Sequence, residues 1–174
     1  MSLISEDGSQ VSGAESLCSV AFADTYHSDR GGAAWALLTT SVKEQNLRKS
    51  TEFMSQRYTL YWDGYRVTTT QSLDWPRDFV FIRPQRTQYQ LYISNTIVPI
   101  EVQRACAELA LRSSSATLMP DTKTRQKRKT VGPITIEYDI YSPQNPVYKS
   151  IDAMLAPYLK DGGMESVSRI VQRA

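Results

Sequence analysis

Histidine occurs once in this 174-residue chain, at His27, and cysteine twice, at Cys18 and Cys106. A lone histidine on a helical pattern, with no second histidine or cysteine near it, supplies neither zinc-ligand spacing nor a nucleophile–base pair. It reads as an ordinary surface or core residue. Two cysteines far apart in sequence give no disulfide framework, and Cys106, inside an apolar helical pattern, reads as a small core residue. Glycine-rich phosphate loops are missing too: Gly31-Gly32 lacks the GxxxxGK[ST] frame. No run approaches the ~20 apolar residues that a membrane span needs. The opening MSLISEDGSQ has neither the basic nor the apolar stretch of a secretory leader, so a reducing cytoplasm is the expected compartment. Charge of one sign is also scarce. The net charge is +2, with 41% hydrophobic and 22% charged residues. A protein that coats duplex DNA usually carries a stronger basic excess. No internal repeat or low-complexity block is evident. Asp63 beside Gly64 and Asp74 beside Trp75 read as turn caps rather than as acids with raised pKa. The expectation is a protein that is not an enzyme and holds no cofactor or metal.

What is present is a helical pattern between two arms. The expected class is mainly α, a small bundle of about four helices with a short β-hairpin and extended arms at both ends. Residues 1–18, with scattered glycine, serine and acids, read as a poorly packed arm with one short strand near Leu3-Ile4. A single domain follows over 19–160, and Gly162-Gly163 opens a flexible tail over 161–174. Ser19 is a plausible N-cap for a helix that Gly31-Gly32 stops. Ser41-Val42-Lys43-Glu44 has capping-box spacing, which predicts a helix over about 42–58 with Leu47, Thr51, Met54 and Tyr58 on one face. Residues 59–98 are irregular and aromatic-rich, with a short helical piece from Thr70 to Trp75 and a strand or packed loop over Gln88–Ile93. Pro99 suits a first helical position, and the helix over about 99–114 sets Val102, Cys106 and Leu109 in one stripe. Its Ala105, Ala107 and Ala110 allow close helix approach. A last short helix over 148–159 aligns Ile151, Leu155 and Leu159, and Pro157 shortens or kinks it. The expected core is Trp35, Leu47, Met54, Trp62, Trp75, Val102, Cys106 and Leu109.

Two local signals point outward. Lys123, Arg125, Lys127, Arg128 and Lys129 put five positive charges in seven residues. Extended, four of them share one strand face and call for something anionic opposite, a phosphate backbone or an acidic protein surface; the bland alternative is a hydrated loop. Next, Ile134, Ile136 and Tyr138 alternate with polar residues in a hairpin expected over about 126–140. The group Tyr58, Tyr61, Trp62 and Tyr65 with Arg57 and Arg66 reads either as a stacking platform for unpaired bases or as a hydrophobic lid over the helices.

Five collinear stretches, from about residue 3 to residue 163, carry a family resemblance: CSVAFADTYHSDRGGAAWALL, LRKSTEFMSQRYTLYWDGYRVTTTQSLDWPR, VPIEVQRACAELALR, KRKTVGPITIEYD and YKSIDAMLAPYLKDGG. Together they resemble the head–tail adaptor (connector, head-completion) proteins of long-tailed bacteriophages. Such proteins also go by the description DnaT-like single-stranded-DNA-binding protein. The resemblance implies a structural virion protein in the neck, assembled in the host cytoplasm. Copies, usually twelve, would form a ring beneath the portal protein, extend the DNA channel and dock a stopper or tail-completion protein. It makes Tyr148, Ile151, Leu155, Leu159, Ile170 and Val171 candidate portal contacts. The edge at Ile134, Ile136 and Tyr138 becomes a candidate for strand addition to a neighbour or the portal. The basic run becomes a candidate for the lumen or portal-facing rim, touching packaged double-stranded DNA non-specifically. No membrane partner is implied. The alternative function is single-stranded-DNA binding in replication. The stretch 79–98 departs from the family pattern, being longer than the usual connection.

Overall fold

Ser19 begins the first helix as expected: its hydroxyl accepts from the Phe22 N–H, and α1 runs Val20–Ser28. A computed structural model of the chain describes residues 2–83, 91–121, 128–131, 134–137 and 146–160. After α1 come the single-turn α2 (Ala33–Ala36), α3 (Thr40–Tyr58), β1 (Tyr65–Arg66), β2 (Arg77–Asp78) and α4 (Ile100–Ser113). Then follow β3 (Arg128–Val131), β4 (Ile134–Glu137), α5 (Lys149–Leu155) and a 3₁₀ turn over Ala156–Tyr158. The class is mainly helical, with five α-helices among the described residues where about four were expected; α2 is the addition. No helix among the described residues is long and apolar enough to cross a membrane.

The broadest packing is α3 on α4. Leu47 and Met54 of α3 face Val102 and Leu109 of α4 within one core, and all four are fully buried. Ala105, Ala107 and Ala110 are buried as well, so the small residues of α4 lie inward. Within this seam sits a polar patch. Cys106 Sγ lies 3.1 Å from Ser50 Oγ and 3.4 Å from Thr51 Oγ1. The hydrogen bond with Cys106, and then burial, push the Cys18 thiol well above its ordinary pKa. All eight expected core residues are buried.

Several boundaries differ from the sequence reading. The N-cap of α3 is Thr39, accepting from Val42 N, so the helix starts two residues before the Ser41 capping box would place it. Thr70–Trp75 forms turns rather than a helix. Pro157 does end α5 early, sitting in the 3₁₀ turn that follows. The N-terminal arm is packed, not loose. Ser5 bridges Ser16 in parallel, Leu17 N donates to Thr51 Oγ1, and Ala14, Leu17 and Cys18 join the core.

The largest correction concerns the last helix. Ile151, Leu155 and Leu159, read from the resemblance as portal contacts, are buried in the domain core. The helix packs on α4, and its Asp152 accepts from the buried Tyr58 hydroxyl at 2.5 Å and from Arg57 Nη2 at 3.5 Å. Burial and then the Asp152 carboxylate push the Tyr58 pKa upward. Beyond the 3₁₀ turn, Leu159 bridges Trp62, with Asp63 N donating to Tyr158 O and Lys160 N donating to Tyr61 O. Tyr148 is half-buried, its ring edge-on to Phe53. Ile170, Val171 and the tail over 161–174 lie outside the described residues, as do Lys123, Arg125, Lys127 and Tyr138. Of Arg128, Lys129, Ile134 and Ile136 only the backbone is described.

Candidate nucleic-acid interface

The aromatic group at the end of α3 divides. Tyr58 and Trp62 are buried, Trp62 lying edge-to-face on Trp75, while Tyr65 is 72% exposed and Tyr61 sits at the margin. Arg57 is turned to Asp152, and Arg66 is turned to Asp74. The lid reading therefore holds for Tyr58 and Trp62, and the alternative of a stacking platform at 57–66 loses both rings.

A different aromatic surface is assembled one strand further on. Its foundation is a knot of polar groups. The Asp74 carboxylate, almost wholly buried, accepts from Thr59 Oγ1 at 2.7 Å and from Arg66 Nη2 at 2.6 Å. Arg77, also buried, donates to the carbonyls of Asp63 (2.8 Å), Gly64 (2.8 Å) and Asp74 (3.2 Å). Burial lowers the Arg77 pKa from its ordinary value, against the pull of Asp74. Buried donors and acceptors that are all satisfied hold a loop in one geometry. Asp63 and Asp74 thus work as turn-holding groups: Asp63 Oδ1 accepts from Gly64 N and Oδ2 from Arg83 at 3.1 Å.

Gly64 is required at its position. Its φ is +64°, and a Cβ there would stand 2.0 Å from the Asp78 carbonyl oxygen. That close approach brings β1 against β2, with Tyr65 opposite Asp78 and Arg66 opposite Arg77. The chain then passes through Phe79 at φ +59°. An aromatic residue in the left-handed region is a strained conformation, stored where the surroundings over-determine it. Phe79 spends that strain on display: the residue is 61% exposed. Val80 returns to the core, Ile93 N donates to Val80 O, and Ile82 N donates to Leu91 O. This short ladder places Tyr92 edge-on to Phe79 (5.7 Å between centroids) and tilted against Phe81 (4.9 Å). Exposed Ile82 and Leu91 flank the rings.

Sequence reasoning missed Phe79 and Tyr92 as a surface. The run Phe79-Val80-Phe81-Ile82 carried a signal, since alternation sets Phe79 and Phe81 apart from Val80. Nothing in the sequence announces the positive φ. Residues 84–90 between the ladder strands lie outside the described residues.

A pocket of about 310 Å³ lies beside α1, lined in part by Asp24, His27, Trp35 and Lys43. Its groups are engaged with one another. Asp24 Oδ1 accepts from Trp35 Nε1 at 2.7 Å and Lys43 Nζ at 2.9 Å, and His27 Nε2 donates to the Ala107 carbonyl at 3.1 Å. Among the described residues no group of three or more His, Cys, Asp or Glu side chains is placed to hold a metal ion.

No curated protein and no solved structure matches the chain. One family model does match, along residues 1–174, and the chain therefore belongs to the family described as "Putative DnaT-like ssDNA binding protein".

Proposed function

We propose that the chain binds single-stranded DNA without sequence preference, stacking bases on the exposed rings of Phe79 and Tyr92. The observation that carries this is Phe79 itself, a strained residue whose conformation directs an aromatic ring into solvent. Family membership supports the choice of ligand. Every base has a π-face, so stacking tolerates any sequence and contributes ~1–3 kcal/mol per base. Among the described residues the arginines of this region are committed, Arg66 to Asp74 and Arg83 to Asp63. Binding here is therefore stacking-led, with a shallow salt dependence.

The test is fluorescence anisotropy of a labelled oligothymidylate over a salt series. Phe79→Ala is expected to weaken binding roughly 5- to 150-fold, the equivalent of one lost stack. The slope of log K against log salt should stay shallower than about −2. Five cations of the run Lys123–Lys129 on phosphates would instead give about −3.5. Binding unaffected by Phe79→Ala, or no binding at low salt, refutes the assignment.

A second reading keeps the chain as a head–tail adaptor in a phage neck, in a ring with portal, stopper and packaged DNA as partners. It is favoured by the five collinear stretches and by two large apolar side chains standing bare just past the ends of α2 and α3, Leu37 (85% exposed) and Leu60 (81%). Cryo-electron microscopy of virion necks tests it: a ring of this chain below the portal establishes the adaptor, and its absence removes it.

A further inference from the structure

Cys18 and Cys106 are far apart in sequence, and the fold brings them together. Cys18 ends the N-terminal arm, Cys106 lies in the middle of α4, and both are buried, reduced and part of one core. Ser16 marks their meeting point. Its hydroxyl lies 3.9 Å from Cys106 Sγ, donates to the Cys18 carbonyl at 2.8 Å and accepts from Cys18 N at 3.3 Å. The two thiols hydrogen-bond to each other.

Which sulfur accepts follows from where the hydroxyl protons go. Ser16 and Ser50 each have a carbonyl competing for their one proton, that of Cys18 at 2.8 Å and that of Leu47 at 2.9 Å. Thr51 differs. Its Oγ1 accepts from Leu17 N at 3.2 Å, which leaves its own proton for Cys106 Sγ at 3.4 Å. Cys106 is thus placed to accept from Thr51 and from Cys18, and donors aimed at a sulfur favour the thiolate, the nucleophilic form. The Cys18 bond foremost, against the opposing effect of burial and with Ser50, Thr51 and Ser16 behind it, draws the Cys106 pKa below its ordinary value. Cys18, pushed the other way, keeps its proton and is the donor of the pair.

We propose that Cys18 and Cys106 are a peroxide-oxidised pair whose disulfide ties the N-terminal arm to α4. The Cys106 sulfur attacks one oxygen of hydrogen peroxide, the O–O bond breaks, and the departing hydroxide takes the Cys106 proton and leaves as water. Cys106 is then a sulfenic acid. The Cys18 sulfur attacks the Cys106 sulfur, the S–O bond breaks, and the hydroxyl leaves as a second water with the Cys18 proton. Two thiols lose two electrons and one peroxide gains them. Access comes by opening of the arm. Cys18 lies outside any helix, and its neighbours are held by few bonds, Glu6 N to the Ser16 carbonyl (2.8 Å) and Leu17 N to Thr51 among them. Such terminal segments open at lower cost than packed helices. In a reducing compartment the bond is transient and is reversed by thiols. The pair lies in the helical core, so the proposal holds whichever ligand the aromatic surface takes.

The experiment treats the full-length, folded protein with hydrogen peroxide, alkylates the remaining thiols in denaturant and weighs the product. Both thiols are expected to vanish together, with the intact mass lower by two hydrogens, a tryptic fragment joining Cys18 to Cys106, and full recovery of both thiols on adding dithiothreitol. Two full-length variants test the order of events, with dimedone as the trap for sulfenic acid. Cys18→Ser is expected to leave Cys106 trapped by dimedone, and Cys106→Ser to leave Cys18 unlabelled. Thiols that stay alkylatable, a link that forms only in urea or only between two chains, or a Cys106 that gains two oxygens while Cys18 stays reduced overturns the proposal. So does the reverse labelling pattern in the two variants. The wild-type measurement needs no substitution and decides the matter even where a serine variant fails to fold.

Discussion

Truncating Leu155 to alanine measures how firmly α5 belongs to the domain. Leu155 is fully buried, between Ile151 and Leu159 on the face that meets α4. The change removes the outer carbons of the side chain, a transfer loss of roughly 2 kcal/mol at about 0.8 kcal/mol per methylene. Neighbours held by other contacts relax only partly: Asp152 is fastened to Tyr58 and Leu159 is bridged to Trp62. A residual cavity then brings the cost to ~2–5 kcal/mol. Against a total of ~5–15 kcal/mol that is a large fraction. Urea denaturation followed by circular dichroism should show the midpoint falling by about 1–2 M, given a slope of ~1–3 kcal/mol/M. Leu60→Ala, at an 81% exposed site, is the matched control and should shift stability by less than ~0.5 kcal/mol. A Leu155→Ala midpoint within error of wild type would refute the seating of α5 and return Leu155 to the list of surfaces available to a partner. The same burial means that Leu155→Asp cannot serve as a clean probe of partner contact, because an unpaired carboxylate there would unseat the helix.

Phe79→Gly should separate stability from binding. Glycine accepts φ +59° without penalty, which returns ~1–2 kcal/mol of strain, while the lost edge contact with Tyr92 costs ~0.5–1.5 kcal/mol. The melting free energy should thus move by less than ~1 kcal/mol while DNA affinity falls as for alanine; a large destabilisation would show that the ring is a structural wedge. Asp24 predicts an acid-range effect. Burial raises its pKa, but hydrogen bonds from Lys43 and Trp35 outweigh that and leave it below the ordinary 3.8. The depressed folded value means that its contribution is full above the ordinary carboxylate range and disappears as pH falls through the folded pKa. Asp24→Asn should therefore be less stable than wild type at pH 7, by no more than ~1 kcal/mol for so exposed a pair, with the gap closing as pH falls below the ordinary carboxylate range. A gap that persists at low pH would assign the loss to packing.

The helices were legible because their physics is local. The Ser19 cap, the 42–58 stripe and the small-residue face of α4 all follow from neighbours three or four residues apart. The Ile151/Leu155/Leu159 stripe was legible as apolar, but periodicity says that a face is covered and not by what; the cover is α4 of the same chain. Tyr58 and Trp62 posed the same ambiguity. Both are aromatic in sequence, and only the third dimension shows that they turn inward while Phe79 turns out. The N-terminal arm was misread for a related reason: Ala14, Leu17 and Cys18 are few and scattered, and their burial depends on α3 and α4 having already met.

The bonds between residues 61–63 and 158–160 have a mechanical meaning. Tension applied to the chain beyond Lys160 reaches Asp63 N–Tyr158 O and Lys160 N–Tyr61 O before it reaches α5. Asp63 in turn supplies one of the carbonyls that hold Arg77, and Arg77 pins the turn leading to Phe79. A pull on the C-terminal segment is thus transmitted as a load on the loop that holds the aromatic ring in the open, so whatever grips that segment acquires leverage over the display of Phe79.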